Sequence, residues 1–260
     1  VTVAAPVAIV TGGARGIGRA CAEALAAGGF SVAACDIATV TVESPVESTV
    51  ESPPAIEQFA FDLADLDSHQ PLIDTVIARF KRIDCVVHNA GVGSKTRGDL
   101  LDLRAGDFDQ LLSINLRGTV FFSQVCARWM RDHRPGDGDD ATARSQIFIT
   151  SVSAAMASPN RADYCVSKAG LSMWAQALAL RQAADGVAVF EVRPGIIRTA
   201  MTAPVAAEYD ARIAAGLVPA GRWGEAADVG RVVAALAGGD FAFATGAVIN
   251  ADGALSVARL

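Results

Sequence analysis

Short apolar runs alternate with helical patterns along most of this chain. Residues 7–10, 30–35, 56–61, 83–88, 147–150, 188–193 and 247–250 are runs of the kind that form buried strands. Between them, apolar positions recur at helical spacing over 19–27, 68–80, 107–117, 119–131, 162–183 and 226–237. Gly28-Gly29 closes the first of these helices. Strand and helix in strict alternation predict an α/β fold, a single doubly wound parallel sheet with helices on both faces. In such a sheet, ligands bind at the carboxyl ends of the strands.

Two stretches break the rhythm. Residues 42–54 repeat Val-Glu-Ser three times at intervals of four and carry Pro45, Pro53 and Pro54, which argues against a helix and for a surface excursion. Residues 134–144, rich in glycine and aspartate, read as a solvated connection. A chain of 260 residues, 52% hydrophobic, fits one domain spanning 1–260 with a sizeable core. A net charge of −6 gives no footing for nucleic acid. No apolar stretch is long enough for a membrane span and no basic segment precedes one, so neither a span nor a signal peptide is expected. Five scattered cysteines (Cys21, Cys35, Cys85, Cys126, Cys165) predict reduced packing thiols and a cytoplasmic setting. The histidines, His69, His88 and His133, lack ligand spacing, so no metal site is predicted.

The chemistry begins in the first strand–helix connection, Thr11-Gly12-Gly13-Ala14-Arg15-Gly16-Ile17-Gly18. Gly12 permits a tight turn, Gly16 lets backbone approach a diphosphate, and Gly18 lets the helix pack on the strand. The diphosphate would rest on exposed N–H groups at the helix N-terminus. The second strand ends at Asp36, where a dinucleotide site needs an acid for the adenosine ribose hydroxyls. Ile37-Ala38-Thr39 supplies no cation for a 2′-phosphate, and Arg15 is the single basic counterweight. The expected cofactor is therefore NAD, with NADP disfavoured. Far along the chain, Tyr164 and Lys168 lie one helical turn apart on one face. An ammonium so placed is expected to lower the phenol pKa and equip Tyr164 for proton transfer.

In these motifs the chain resembles the short-chain dehydrogenase/reductases, from about residue 7 to the C-terminus. The same likeness covers Asp62-Leu63 after the third strand, Asn89-Ala90-Gly91 after the fourth, and Asn115 in Ile114-Asn115-Leu116. It also covers Ser151, thirteen residues before Tyr164, and the loop Pro194-Gly195-Ile196-Ile197-Arg198-Thr199. His88 stands where many members have asparagine. The resemblance implies a Rossmann fold and a catalytic set of Asn115, Ser151, Tyr164 and Lys168. Tyr164 would exchange the proton and Lys168 would hold the nicotinamide ribose. Ser151 would bind the substrate oxygen, with Ser153 as a further substrate contact, and Asn115 would hold a water linking Lys168 to solvent. Cofactor contacts are implied at Gly12, Arg15, Gly16, Ile17, Gly18, Asp36, Asp62, Leu63, Asn89, Ala90, Gly91, Pro194, Gly195, Ile197 and Thr199.

The expected reaction is hydride transfer between NAD(H) and a secondary alcohol or ketone, such as a small alcohol, polyol or sugar derivative. The alternative is a 3-oxoacyl-[acyl-carrier-protein] reductase, whose acidic carrier would need a basic patch such as Lys95, Arg97 and Arg161. A reading of another class is a non-catalytic dinucleotide-binding regulator, which would have no need of the whole catalytic set. A substrate lid is implied at about 200–218, with Met201, Tyr209, Ile213 and Leu217 beside Val92, Met156 and Ile196. The family also implies a homo-oligomer, a tetramer or dimer, joined through the Tyr164 helix and residues 241–260.

Overall fold

The computed structural model describes residues 5–37, 56–134 and 143–259. The Val-Glu-Ser repeat and most of the 134–144 connection lie outside them. Seven parallel strands form one sheet in the order β3-β2-β1-β4-β5-β6-β7. They are β1 (Val7–Thr11), β2 (Ser31–Asp36), β3 (Ile56–Ala60), β4 (Cys85–His88), β5 (Arg144–Ile149), β6 (Val187–Pro194) and β7 (Val248–Ala251). The chain winds outward from β1 to β3, returns to pair β4 beside β1, and then winds the other way. That reversal opens a crevice above the carboxyl ends of β1 and β4.

The central strands are buried on both faces, which is why they read as continuous apolar runs. Ala8 and Val10 of β1 face α1 (Gly16–Ala27) and α7 (Ala226–Ala237) in one core layer. Val7 and Ile9 face α2 (His69–Phe80) and α4 (Thr119–Asp132) in the other. Phe148 and Val189 pack under the long helix α5 (Ala162–Gln182) on that same side. Alternate residues of one strand thus serve opposite layers.

Local departures from the sequence pattern fall where the site is built. Helix α1 begins at Gly16, three residues earlier than its apolar periodicity indicates, so the glycine turn runs straight into its first turn. The helical region at 105–132 is continuous: α3 (Ala105–Leu112) passes through a π-helical stretch, Ser113–Gly118, into α4. The segment 200–218, expected as a substrate lid, contains a short helix, α6 (Ala206–Ala214), that its sequence did not signal. Ile213 of α6 turns away from the cleft to pack with Val218 and Trp223.

Candidate active site

The glycine turn is shaped by two close approaches. Gly12 has φ +66°, and a Cβ on Gly18 would collide with the Gly12 carbonyl oxygen, so α1 packs against the turn only because position 18 lacks a side chain. Gly16 differs: at φ +55° its absent Cβ points to open space, with Thr199 Cγ2 the nearest atom at 3.8 Å. The first-turn N–H groups of α1 have no intrahelical acceptors, and they border the same opening. Asp36, at the end of β2, accepts a hydrogen bond from the Ala14 N–H (3.2 Å) and also borders it.

After β4, Asn89 binds the turn from the other side. Its Nδ2 donates to the carbonyls of Thr11 (3.0 Å) and Gly12 (3.2 Å), while the N–H groups of Asn89 and Ala90 both donate to Thr11 Oγ1 (3.1 Å each). Gly91 admits two polar groups at once. A Cβ there would sit 3.2 Å from Asn115 Oδ1 and 3.6 Å from Lys168 Nζ.

All these groups open onto one cleft of about 700 Å³. Its walls hold Gly12, Arg15, Gly16, Ile17, Gly18, Asp36, Asp62, Leu63, Asn89, Ala90, Gly91, Ser151, Ser153, Tyr164, Lys168, Pro194, Gly195, Ile197 and Thr199. Of the site residues expected from sequence, Asn115 alone is not on the wall. It is fully buried behind it, where its amide pairs with both backbone groups of Val92: Oδ1 accepts from the N–H (2.7 Å) and Nδ2 donates to the carbonyl (2.8 Å). Nδ2 also reaches Ser167 Oγ (3.3 Å), and Ser167 Oγ donates to the Tyr164 carbonyl (2.8 Å). Asn115 therefore ties the loop after β4 to α5, the helix that carries Tyr164 and Lys168.

Ser151 caps a 3-10 turn (Val152–Ala154), and its Oγ accepts from the Ser153 N–H (3.0 Å). Among the described residues, the buried Ser153 hydroxyl has no hydrogen-bond partner. Lys168 Nζ donates to the Ile149 carbonyl at the end of β5 (3.0 Å) and lies 5.7 Å from the Tyr164 ring centroid. Burial pulls the Lys168 pKa down to about 8, opposed by the negative charge of Glu191. Tyr164 is half-buried at the edge of the cleft, and desolvation of its phenol raises its pKa. The hydrogen bond with Ser151 and the charges of Arg161 and Arg97 act in the opposite direction. Desolvation outweighs the opposing influences of Ser151 and the two arginines, so the phenol pKa stands above its ordinary value and not below it, which corrects the expectation from the Lys168 neighbour alone.

Sequence reading missed the group behind Lys168. Glu191, buried on β6, accepts from Thr150 Oγ1 (2.6 Å), Ser172 Oγ (2.8 Å) and Arg193 Nε (2.7 Å). It clamps the segment just after β5, which carries Ser151, to the turn of α5 after Lys168. An isolated acid within an apolar strand was the available signal, because charges are rarely buried without partners.

Cys21, Cys35, Cys85 and Cys126 are buried free thiols whose pKa values desolvation raises, which suits packing rather than reactivity. Among the described residues there is no cluster of three or more His, Cys, Asp or Glu side chains that could hold a metal ion. No helix among them is long and apolar enough to cross a membrane.

The comparisons agree with this geometry. A family profile described as enoyl-(acyl carrier protein) reductase matches residues 12–256. The 3-oxoacyl-[acyl-carrier-protein] reductase of Haemophilus influenzae is 34% identical over 96% of this chain and 97% of its own. A 3-oxoacyl-[acyl-carrier protein] reductase from Brucella melitensis, solved in complex with NAD, is 49% identical, covers 98% of this chain and 99% of its own, and superposes with a TM-score of 0.91. A putative short-chain dehydrogenase/reductase from Sinorhizobium meliloti is 48% identical over 97% of this chain and 98% of its own, with a TM-score of 0.75. The chain belongs to the short-chain dehydrogenase/reductase family. It is an NAD(P)-dependent oxidoreductase acting on CH–OH and ketone groups.

Proposed function

We propose that this enzyme is an NADH-dependent reductase of 3-oxoacyl thioesters, of the kind carried by acyl carrier protein. The observation that carries this reading is the 49% identity, across nearly the whole of both chains, with the Brucella reductase bound to NAD. It displaces the general alcohol or sugar dehydrogenase as the first reading.

The cleft fits the cofactor. The open space at Gly16, the N-terminus of α1 and the Asp36 carboxylate supply a diphosphate cradle and an acceptor for ribose hydroxyls. Asp36 also disfavours a 2′-phosphate by direct repulsion. When bound, the nicotinamide supplies or accepts the hydride.

The chain's own residues manage the oxygen and the proton. Ser151 Oγ, oriented by the Ser153 N–H, donates a hydrogen bond to the substrate oxygen as negative charge grows there. Tyr164 delivers the proton during reduction and removes it during oxidation. Lys168, cationic below about pH 8, stabilises the phenolate left behind. Asn115 holds the loop after β4 against α5, which sets the depth of the cleft floor at Gly91.

We also propose a homo-oligomer. Met173 and Leu180 on α5, together with Phe241 and Phe243, are large apolar side chains on the surface of one chain, and Phe243 is wholly exposed. Size-exclusion chromatography with light scattering that gives a monomer removes this part of the proposal. For the activity, purified protein is assayed with NADH against an acetoacetyl thioester and a panel of secondary alcohols and polyols. Turnover of polyols with none of the thioester refutes the thioester reading.

A further inference from the structure

Two arginines in the cleft have entered so far only through their charges on the Tyr164 phenol. Arg97, in the loop after β4, and Arg161, just before α5, both line the cleft. Two contacts join the segments that carry them: Ser94 Oγ donates to Asp163 Oδ1 (2.5 Å), and the Gly98 N–H donates to the Asn160 carbonyl (3.3 Å). The Arg161 guanidinium lies 5.5 Å from the Tyr164 ring centroid. Both cations stabilise the anionic form of that phenol, which places them within electrostatic reach of the reacting centre.

Among the described residues, no carboxylate is paired with either of them. The carboxylates among the described residues that line the cleft are Asp36, which ends β2, and Asp62, which follows β3 at the glycine-turn end. Asp163 is engaged otherwise, with Oδ1 accepting from Ser94 Oγ and from the Tyr164 N–H (2.8 Å). Two further cations near this end are already paired, Lys95 with Asp107 (3.2 Å) and Arg212 with Glu208 (3.3 Å), and Lys168 donates to the Ile149 carbonyl (3.0 Å). In a protein of net charge −6, two unpaired guanidinium groups beside the reactive tyrosine form a local anion trap.

Position selects the anion. Because Arg161 lies against the ring whose hydroxyl meets the reacting oxygen, the negative group must sit within a few bonds of the carbonyl carbon. The phosphate of a carrier-borne thioester is separated from its carbonyl by a long pantetheine arm. A carboxylate on a short oxo acid meets the condition, and guanidinium forks match carboxylates in shape and charge. We propose that Arg97 and Arg161 form an anion subsite for a substrate carboxylate next to the reacting carbonyl, giving the enzyme a further activity on short free oxo acids.

The reaction balances without another reactant. The carbonyl carbon gains a hydrogen with the hydride pair from the reduced nicotinamide, which is thereby oxidised, and the oxygen gains the proton of Tyr164. The product is the hydroxy acid, with its carboxylate unchanged. This inference rests on the oxidoreductase reading of Tyr164 and is independent of the thioester as substrate.

The test compares acetoacetate with its neutral methyl ester, using NADH and the full chain, in the wild type and in R97Q, R161Q and the double variant. The wild type is expected to favour the acid by at least tenfold in kcat/KM, and the double variant to bring the ratio near one. Any effect of Arg161 on Tyr164 itself falls on both substrates and cancels in the ratio. Preference for the ester in the wild type, or an unchanged ratio in the double variant, overturns the subsite. An acetoacetyl thioester run in parallel reports on the thioester reading alone. Should neither acetoacetate nor its ester be reduced, thermal shift of the NADH-loaded protein with acetoacetate decides. Stabilisation in the wild type that is lost in the double variant supports the subsite; equal shifts, or no shift in the wild type, overturn it.

Discussion

Replacing Glu191 by glutamine tests how Lys168 is kept charged. Glu191 receives hydrogen bonds from Thr150, Ser172 and Arg193, and its charge opposes the burial that brings the Lys168 pKa down to about 8. Glutamine nearly preserves the shape but removes the charge. The Thr150 and Ser172 hydroxyls can turn to accept from the new amide, whereas the Arg193 guanidinium cannot. Stranding one buried partner of an ion pair costs about 3–5 kcal/mol, and the 18% exposure that Arg193 retains sets the expected loss near the lower end. The second effect is on Lys168, whose pKa falls further. Its cation is then lost at lower pH, and the alkaline limb of the reduction rate moves down by on the order of one pH unit. The assay is kcat against pH at saturating NADH for wild type, E191Q and E191D, alongside urea unfolding. E191D keeps the charge and is expected to hold the limb in place even if stability drops. A folded E191Q whose alkaline limb coincides with wild type refutes the electrostatic role.

Tyr164→Phe keeps the ring and removes the proton; turnover is expected to fall by about 100-fold or more with an unchanged unfolding midpoint, and retention of a tenth of the activity contradicts the assignment. Asp36→Ala is expected to narrow a preference for NADH over NADPH of about tenfold, or ~1.4 kcal/mol, and adding Ile37→Arg to narrow it further; equal kcat/KM values for the two cofactors in the unmodified enzyme count against the role of Asp36. His88 is buried against Gln146 (2.7 Å), and desolvation lowers its pKa from 6.5 to about 4. The unfolded chain therefore binds this proton more readily, so stability drops as pH falls from 6.5 towards 4, by up to about 3 kcal/mol. His88→Asn should flatten that slope in denaturant titrations at pH 7 and pH 5, and parallel slopes exclude His88 as its source.

Much of the sheet is legible in the sequence because parallel strands covered on both faces are apolar throughout, and because the glycine turn and Asp36 are local features. Tyr164 and Lys168 could be named from spacing because they share one face of one helix, and Ser151 from the family resemblance. What escaped is contact made at long range. Thr150 and Glu191 are 41 residues apart, and the segments carrying Arg97 and Arg161 meet, through the Gly98 N–H and the Asn160 carbonyl, only after β4 and β5 have paired. The direction of the Tyr164 pKa escaped for the same reason, since spacing reports a neighbouring charge but not how much protein closes over a hydroxyl.

The π-helical stretch at Ser113–Gly118 bears on how this site tolerates insertions and deletions. A π-turn holds one residue more than the α-helical path it replaces, and one residue is about 100° of helix rotation. Removing any single residue there would leave a regular helix that still fits between α3 and α4. Asn115, however, would swing away from Val92, and the floor of the cleft would lose its tether to α5. The helix itself would barely register the loss. Homologous chains that keep Asn115 must therefore conserve the residue count through this turn even where the neighbouring side chains drift.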